Sequence, residues 1–323
     1  MGLAASTTAT SNRGATMAAA TVTAPGRAKL EQVPAPVPEA GEVLIRVEGC
    51  GVCGSSASLW EGRPWFSYPL RPGAPGHEGW GRIEALGDDV TWPPPGTRVA
   101  FLSRCAFAEL DVAAADDVVA LPPELDDRPF PGEALGCAMN VFARSRIEAG
   151  DTVAVVGAGF IGLLLVRLAT LVGAQVTAYS RRSFALELAE KLGAERTCAL
   201  DSAGDEERFD CVIEAAGAQG TLDVASRLAR ERGVLVIAGY HQDGPRAVDM
   251  QLWNWRGLDV VNAHERDPAA YVAGMRRAVE AVAGGSLDPD LLYTHSFPLA
   301  KLDLALEAGR ERPDGFLKAL VLV

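Results

Sequence analysis

Val153-Ala154-Val155-Val156-Gly157-Ala158-Gly159-Phe160-Ile161-Gly162 is the stretch on which the fold turns. Four apolar residues run straight into glycines spaced GxGxxG, and an apolar helical pattern over residues 160–172 follows at once. Strand, glycine turn and helix in that order predict a dinucleotide-binding βα unit. Gly157 permits the tight turn, Gly159 lets a pyrophosphate approach the backbone, and Gly162 lets helix and strand pack closely. Phe160 and Ile161 open the helix, whose free N–H groups and dipole favour an anion. The alternative is a glycine-rich turn without a ligand.

Downstream, buried-strand patterns at residues 175–180, 210–214 and 234–239 alternate with helical patterns at 183–192 and 221–230, which reads as a parallel sheet wound with helices. Upstream the texture differs. Short apolar runs at 42–47, 81–86 and 98–102 are broken by clusters such as Pro93-Pro94-Pro95-Gly96, the pattern of an irregular β domain with long loops. After about Pro268 a helix at 269–283 gives way to strands ending in 316–323, and these are expected to return to the first domain. The expected division is a disordered tail over 1–20, rich in Ala, Thr, Ser and Gly, then a catalytic domain from 21–139 and 266–323, and a nucleotide domain over 140–265.

With 323 residues, 48% of them hydrophobic, the chain can bury two cores. The net charge of -12 argues against nucleic acid or an anionic membrane as partner. No apolar run approaches the roughly 20 residues that cross a bilayer, so a cytoplasmic protein with a small-molecule ligand is expected. Six cysteines at 50, 53, 105, 137, 198 and 211 have no framework spacing and are expected to be reduced.

At the end of the second predicted nucleotide-domain strand, an NAD site would place an acid against the ribose 2′-hydroxyl. This chain has Ser180-Arg181-Arg182 instead, a hydroxyl and two guanidiniums suited to a 2′-phosphate. NADP is therefore expected over NAD, the alternative being that the arginines are only a solvated helix start.

Gly76-His77-Glu78, followed by Gly81, Gly87 and Val90, matches the zinc signature GHExxGxxxxxGxxV. Cys53 lies upstream and Cys137, in Leu135-Gly136-Cys137-Ala138, lies before the nucleotide strand. A single buried cysteine is more often a small hydrophobe than a ligand, but two of them with His77 make a set suited to zinc. In this order the motifs resemble the zinc-dependent medium-chain dehydrogenase/reductase superfamily, the alcohol dehydrogenase-like proteins, along nearly the whole chain from about residue 20.

The resemblance implies an α/β protein: a GroES-like irregular β catalytic domain plus a Rossmann doubly wound parallel sheet. It implies one catalytic Zn2+ held by Cys53, His77 and Cys137, with Glu78 as an adjacent or alternating ligand. The implied activity is hydride transfer between NADP(H) and an alcohol or carbonyl substrate, by a homodimer or homotetramer. Two rival readings are a zinc-free enoyl or quinone reductase of the same superfamily and a non-catalytic NADP-binding protein.

The chain departs from the family at two places. Only Ser103 to Ala106 stand where relatives insert a four-cysteine lobe with a structural zinc, so one zinc at most is expected. After Cys53 the usual Asp and His are Ser56 and Ser58, while Ser55 keeps the hydroxyl that hands on the substrate proton. Ser58, His241 and His264 are the candidates to carry that proton further. Trp60, Trp65, Phe66 and Tyr68 are candidates to wall the substrate cleft, or else they pack the loop.

Overall fold

A computed structural model describes residues 14–204 and 207–323. The chain opens with β1 (Thr16–Ala24), β2 (Arg27–Pro34) and β3 (Glu42–Gly51), then the short helix α1 (Ser56–Trp60). Strands β4 (Glu78–Leu86), β5 (Arg98–Phe101), β6 (Leu110–Ala114) and β7 (Val118–Ala120) complete the first half, and helix α2 (Gly132–Ser145) leads out of it. The second half alternates: β8 (Thr152–Val156), α3 (Phe160–Leu171), β9 (Gln175–Ser180), α4 (Ser183–Lys191), β10 (Arg196–Ala199), β11 (Phe209–Glu214), α5 (Gln219–Leu228) and β12 (Ala229–Ile237). It closes with α6 (Met250–Arg256) and β13 (Asp259–Asn262). The last segment holds α7 (Pro268–Ala283), β14 (Tyr293–Pro298), α8 (Leu302–Glu311) and β15 (Lys318–Leu322).

Strands β8 to β13 form a six-stranded sheet in the order β10-β9-β8-β11-β12-β13, with every pairing parallel. Period-2 alternation shows how β8 holds it together. Val153 and Val155 face a core shared with α2, α3, α4 and α7, while Ala154 and Val156 face a second core with α5. Both faces of the sheet are therefore covered, which is why its strands read as unbroken apolar runs. Strand order reverses between β8 and β11, and ligands of such sheets collect beyond the strands' carboxyl ends at that point.

The other sheet has seven strands, β14-β15-β3-β4-β5-β7 with β6 on β3. Strands β14 and β15 thus return to the first half, as the texture of the sequence suggested. Helix α7 does not, since it packs on α2 over the core of the parallel sheet. Helix α8, which the sequence reading did not foresee, covers the irregular sheet with Leu302, Ala305 and Leu306. Residues 229–230, expected to end a helix, begin β12.

The last residues of the expected tail over 1–20 need correcting. Residues 1–13 lie outside the described residues, but 16–20 belong to β1, which pairs antiparallel with β2. On its other side Ala20 N–H donates to the Phe107 carbonyl at 2.9 Å, and Ala18 N–H to the Glu109 carboxylate at 2.7 Å. A run of alanines is stable here because hydrogen bonds on both edges hold the backbone, and small side chains fit a narrow gap against Ala108. No helix among the described residues is long and apolar enough to cross a membrane, and all six cysteines are free thiols.

Asp210 ties together the amino ends of three strands. Its carboxylate accepts from Thr152 N–H at 2.8 Å, from Thr152 Oγ1–H at 2.6 Å and from Arg230 Nε–H at 2.6 Å. Partial burial would raise its pKa, but these donors outweigh it and hold the group at about 2. A folded-state pKa below the unfolded value of about 3.9 stabilises the fold above that value and ceases to do so as pH falls toward 2. Asp210→Asn should cost about 1 kcal/mol at pH 7, the low end for charged hydrogen bonds because the site is partly screened by solvent. Chemical denaturation from pH 7 to pH 2 should show the gap to the parent protein closing only below about pH 4.

Candidate active site

Three donor atoms converge beneath the junction of the two halves. Cys53 follows β3, and His77 and Glu78 stand at the start of β4, so the antiparallel pairing of these strands brings the three together. Their ligand atoms lie within 4.8 Å of one another. His77 Nδ1–H donates to the Pro75 carbonyl at 2.8 Å, which leaves Nε2 to face the Cys53 sulfur. Such a backbone partner is the usual way in which a metal-binding imidazole has its tautomer set.

Cys137, the third ligand expected from the sequence, is not part of this group. It sits on α2 one turn after Glu133, and its thiol donates to the Glu133 carboxylate at 3.3 Å. Burial and then the negative charge of Glu133 push the Cys137 thiol well up. Glu133 is the residue that the sequence reading missed. Its signal was an acid in an apolar helical run, four residues before Cys137 and so on the same face.

Lys318 was missed as well, although a lone lysine in the apolar stretch 316–323 was a sign. Its ammonium lies against both oxygens of Glu78, 2.6 Å from Oε1, and 4.8 Å over the ring of Phe160. Both partners are buried, at 5% and 1% side-chain exposure. Gly51 on β3 makes the pairing possible, because a Cβ there would overlap Glu78 Oε2.

The charge left over is negative. Burial by itself would lower the pKa of His77, yet the charge on Cys53, with Glu133 and Glu78 behind it, pushes the imidazole up to about 10. A pocket that draws a proton onto a buried imidazole has an excess of negative charge, which a divalent cation satisfies better. Sulfur, imidazole and carboxylate donors together suit zinc.

The glycine turn lies next to this cluster, through Lys318 and Phe160. Gly157 has φ +112°, which its turn requires. A Cβ at Gly162 would overlap the Gly157 carbonyl, whereas Gly159 faces open space. Ser180 Oγ accepts from Arg182 N–H at 3.1 Å. Arg182 turns back, donating to the carbonyls of Phe316 at 2.6 Å and Ala158 at 3.4 Å, so its guanidinium is spent on backbone. Arg181 alone of the pair is exposed, and the charges of Arg312 and Arg181 both bear on Arg182.

The proton-carrier candidates separate. Ser55 caps α1 without a side-chain cap bond. Ser58 Oγ–H donates to Gln242 Oε1 at 2.9 Å. His241 accepts at Nδ1 from Arg246 Nε–H at 2.7 Å and donates from Nε2 to Glu214 at 3.0 Å, so neither nitrogen is open. His264 donates from Nε2 to the Gly239 carbonyl at 3.1 Å and lies against Tyr240, which leaves Nδ1 open. Of the aromatic residues, Trp60 is buried and donates to Glu307, and Phe66 and Tyr68 pack on the same core. Trp65 is 58% exposed.

Removing one member of a buried ion pair leaves an uncompensated charge, which costs about 3–5 kcal/mol. Lys318→Met should lose that much in guanidinium denaturation, and Lys318→Met with Glu78→Leu should recover most of it.

Known proteins share both halves of this arrangement. Residues 39–123 match the model of the alcohol dehydrogenase GroES-like domain, and residues 161–280 match that of the zinc-binding dehydrogenase. Human sorbitol dehydrogenase is 26% identical over 88% of this chain and 89% of its own length. L-threonine 3-dehydrogenase from Anaeromyxobacter dehalogenans is 26% identical over 87% of this chain and 92% of its own. A Sinorhizobium meliloti structure described as a zinc-binding dehydrogenase bound to NADP superposes with a TM-score of 0.82 at 28% identity, covering 96% of this chain and 100% of that one. A cobalt- and zinc-bound alcohol dehydrogenase from Pyrobaculum aerophilum does so with a TM-score of 0.83 at 26% identity, with the same coverage. With both halves matched in order and relatives spanning nearly its full length, the chain belongs to the zinc-dependent medium-chain dehydrogenase/reductase superfamily of oxidoreductases.

Proposed function

We propose that this protein is a zinc-dependent, NADP-preferring dehydrogenase or reductase that moves a hydride between the cofactor and an alcohol or carbonyl compound. The observation that carries the reading is the contact of Lys318 with Glu78 on one side and Phe160 on the other, which sets the donor cluster against the glycine turn. Bound at Cys53 and His77, zinc would supply Lewis-acid polarisation of a substrate oxygen, and NADP(H) at the glycine turn would supply the hydride carrier.

The residues present divide the remaining work. Cys53 and His77 offer the softer donors, with His77 oriented by Pro75. Glu133 is our choice for the carboxylate of the set, because Glu78 is already neutralised by Lys318 and the charge of Glu133 bears on His77. Ser55 holds the substrate's proton, and the open Nδ1 of His264 is the remaining imidazole nitrogen on the nucleotide side. Gly157, Gly159, Gly162 and the amino end of α3 at Phe160 and Ile161 cradle the pyrophosphate. Arg181 takes the 2′-phosphate, beside the hydroxyl of Ser180. The assembly is a homodimer or homotetramer, a reading supported by Trp255, which is 83% exposed on α6.

Elemental analysis of the purified protein should find about one zinc per chain, and His77→Ala or Cys53→Ser should lose it together with turnover. A zinc-free preparation with full activity would instead assign the chain to the zinc-free reductases. For the cofactor, Arg181→Ala should raise the Kd of NADPH by about tenfold or more, the size of a charged hydrogen bond, and leave that of NADH within about twofold. Equal losses for both cofactors, measured by fluorescence titration, would remove the phosphate contact.

A further inference from the structure

The turn that carries Cys53 is gripped from the opposite side of the cleft by one side chain. Gln242 lies in the segment after β12, 184 positions from Ser58 and 188 from Gly54. Its Oε1 accepts from Ser58 Oγ–H at 2.9 Å, and its Nε2–H donates to the Gly54 carbonyl at 3.1 Å. One amide thus uses its acceptor and its donor on the two ends of the same helical turn. Between those ends Ser55 N–H points at Cys53 Sγ, 3.5 Å away, and Ser56 N–H donates to the Cys53 carbonyl at 3.1 Å.

Gln242 is itself held firmly. The ring of His241 next to it bridges Arg246 and Glu214. Glu214 is fully buried at the carboxyl end of β11, where it also accepts from Ala216 N–H at 3.0 Å, Gly217 N–H at 2.8 Å and Thr221 Oγ1–H at 2.7 Å. That strand end adjoins the glycine turn, since a Cβ at Gly157 would touch Ala216. A path therefore runs from the point where the sheet order reverses to the turn after Cys53: a hydrogen bond from Glu214 to His241, the peptide bond from His241 to Gln242, and the two hydrogen bonds of the Gln242 amide.

We propose that Gln242 is a positioning residue that fastens the Cys53–Ser58 turn to the nucleotide-side loop, keeping Cys53 and Ser55 in register with the glycine turn. The same contact removes Ser58 from proton transfer, because its hydroxyl is donated to an amide oxygen, which accepts a hydrogen bond but binds no proton near neutral pH. The kinetic part of this proposal rests on the dehydrogenase reading; the dynamic part does not.

Gln242→Leu keeps the side chain's bulk and removes both bonds, and Ser58→Ala removes one of them from the other side. Hydrogen exchange of the free full-length chain, followed over residues 54–61, should be faster in both variants. With a turned-over alcohol or ketone, Gln242→Leu should lower kcat about tenfold with substrate KM within about twofold, and Ser58→Ala should lower it about threefold. The double variant should be no slower than Gln242→Leu, because both remove one shared interaction. Gln242→Glu, which keeps the acceptor for Ser58 and loses the donor to Gly54, should fall between the parent and Gln242→Leu, and it serves if the leucine variant does not fold. Unchanged exchange over 54–61, or losses that simply multiply in the double variant, would overturn the proposal. If the parent chain binds no NADPH and turns over nothing, the dehydrogenase reading fails while the exchange measurement still decides the role of Gln242.

Discussion

The arrangement depends on a buried ion pair that crosses a strand. Glu78 on β4 and Lys318 on β15 are separated by β3, and they meet only because Gly51 on β3 presents no side chain between them. Two charges in such a place are costly to desolvate, so their value lies less in stability than in the position they specify. The pair ties the last strand of the chain to the strand that carries His77, and the Lys318 ammonium also lies on Phe160 at the start of α3. A single side chain thus joins two strands of the irregular sheet and meets the start of α3 beside the glycine turn.

Around that pair the electrostatics are unbalanced in one direction. Lys318 neutralises Glu78, and the charges of Cys53 and Glu133 still bear on His77 and drive it toward its protonated form despite its burial. The donor set therefore has the character of a cation site before any cation is considered. Beside the glycine turn the sign is reversed, where the charges of Arg312 and Arg181 both bear on Arg182, itself bonded to the Ala158 carbonyl. A chain of net charge -12 thus gathers three arginines beside its glycine turn.

What was legible in the sequence follows from how local each signal is. The strand, glycine turn and helix at 153–172 are a local pattern, and the structure places them within a residue of where they were expected. His77 and Cys53 were legible because their motifs are short and their spacing unusual. Glu133, Lys318 and Gln242 were not, because each has meaning only through a partner far along the chain: His77, Glu78 and Ser58 respectively. Cys137 misled for the same reason, since its identity suggested a ligand and only the placement of Glu133 one turn before it shows a hydrogen-bond donor. For Arg182 the charge is plain in the sequence, whereas its hydrogen bonds to the carbonyls of Phe316 and Ala158 are not.

Taken by itself, the sequence determined the two textures, the parallel sheet with its glycine turn and the motif that carries His77, because periodicity, turn chemistry and close packing act over a few residues. The tertiary structure alone decided which charges are neutralised, which serine is bound by Gln242 and which lysine meets Glu78. Those outcomes depend on side chains brought together by sheet pairing and domain packing, and no spacing along the chain encodes the distance between them.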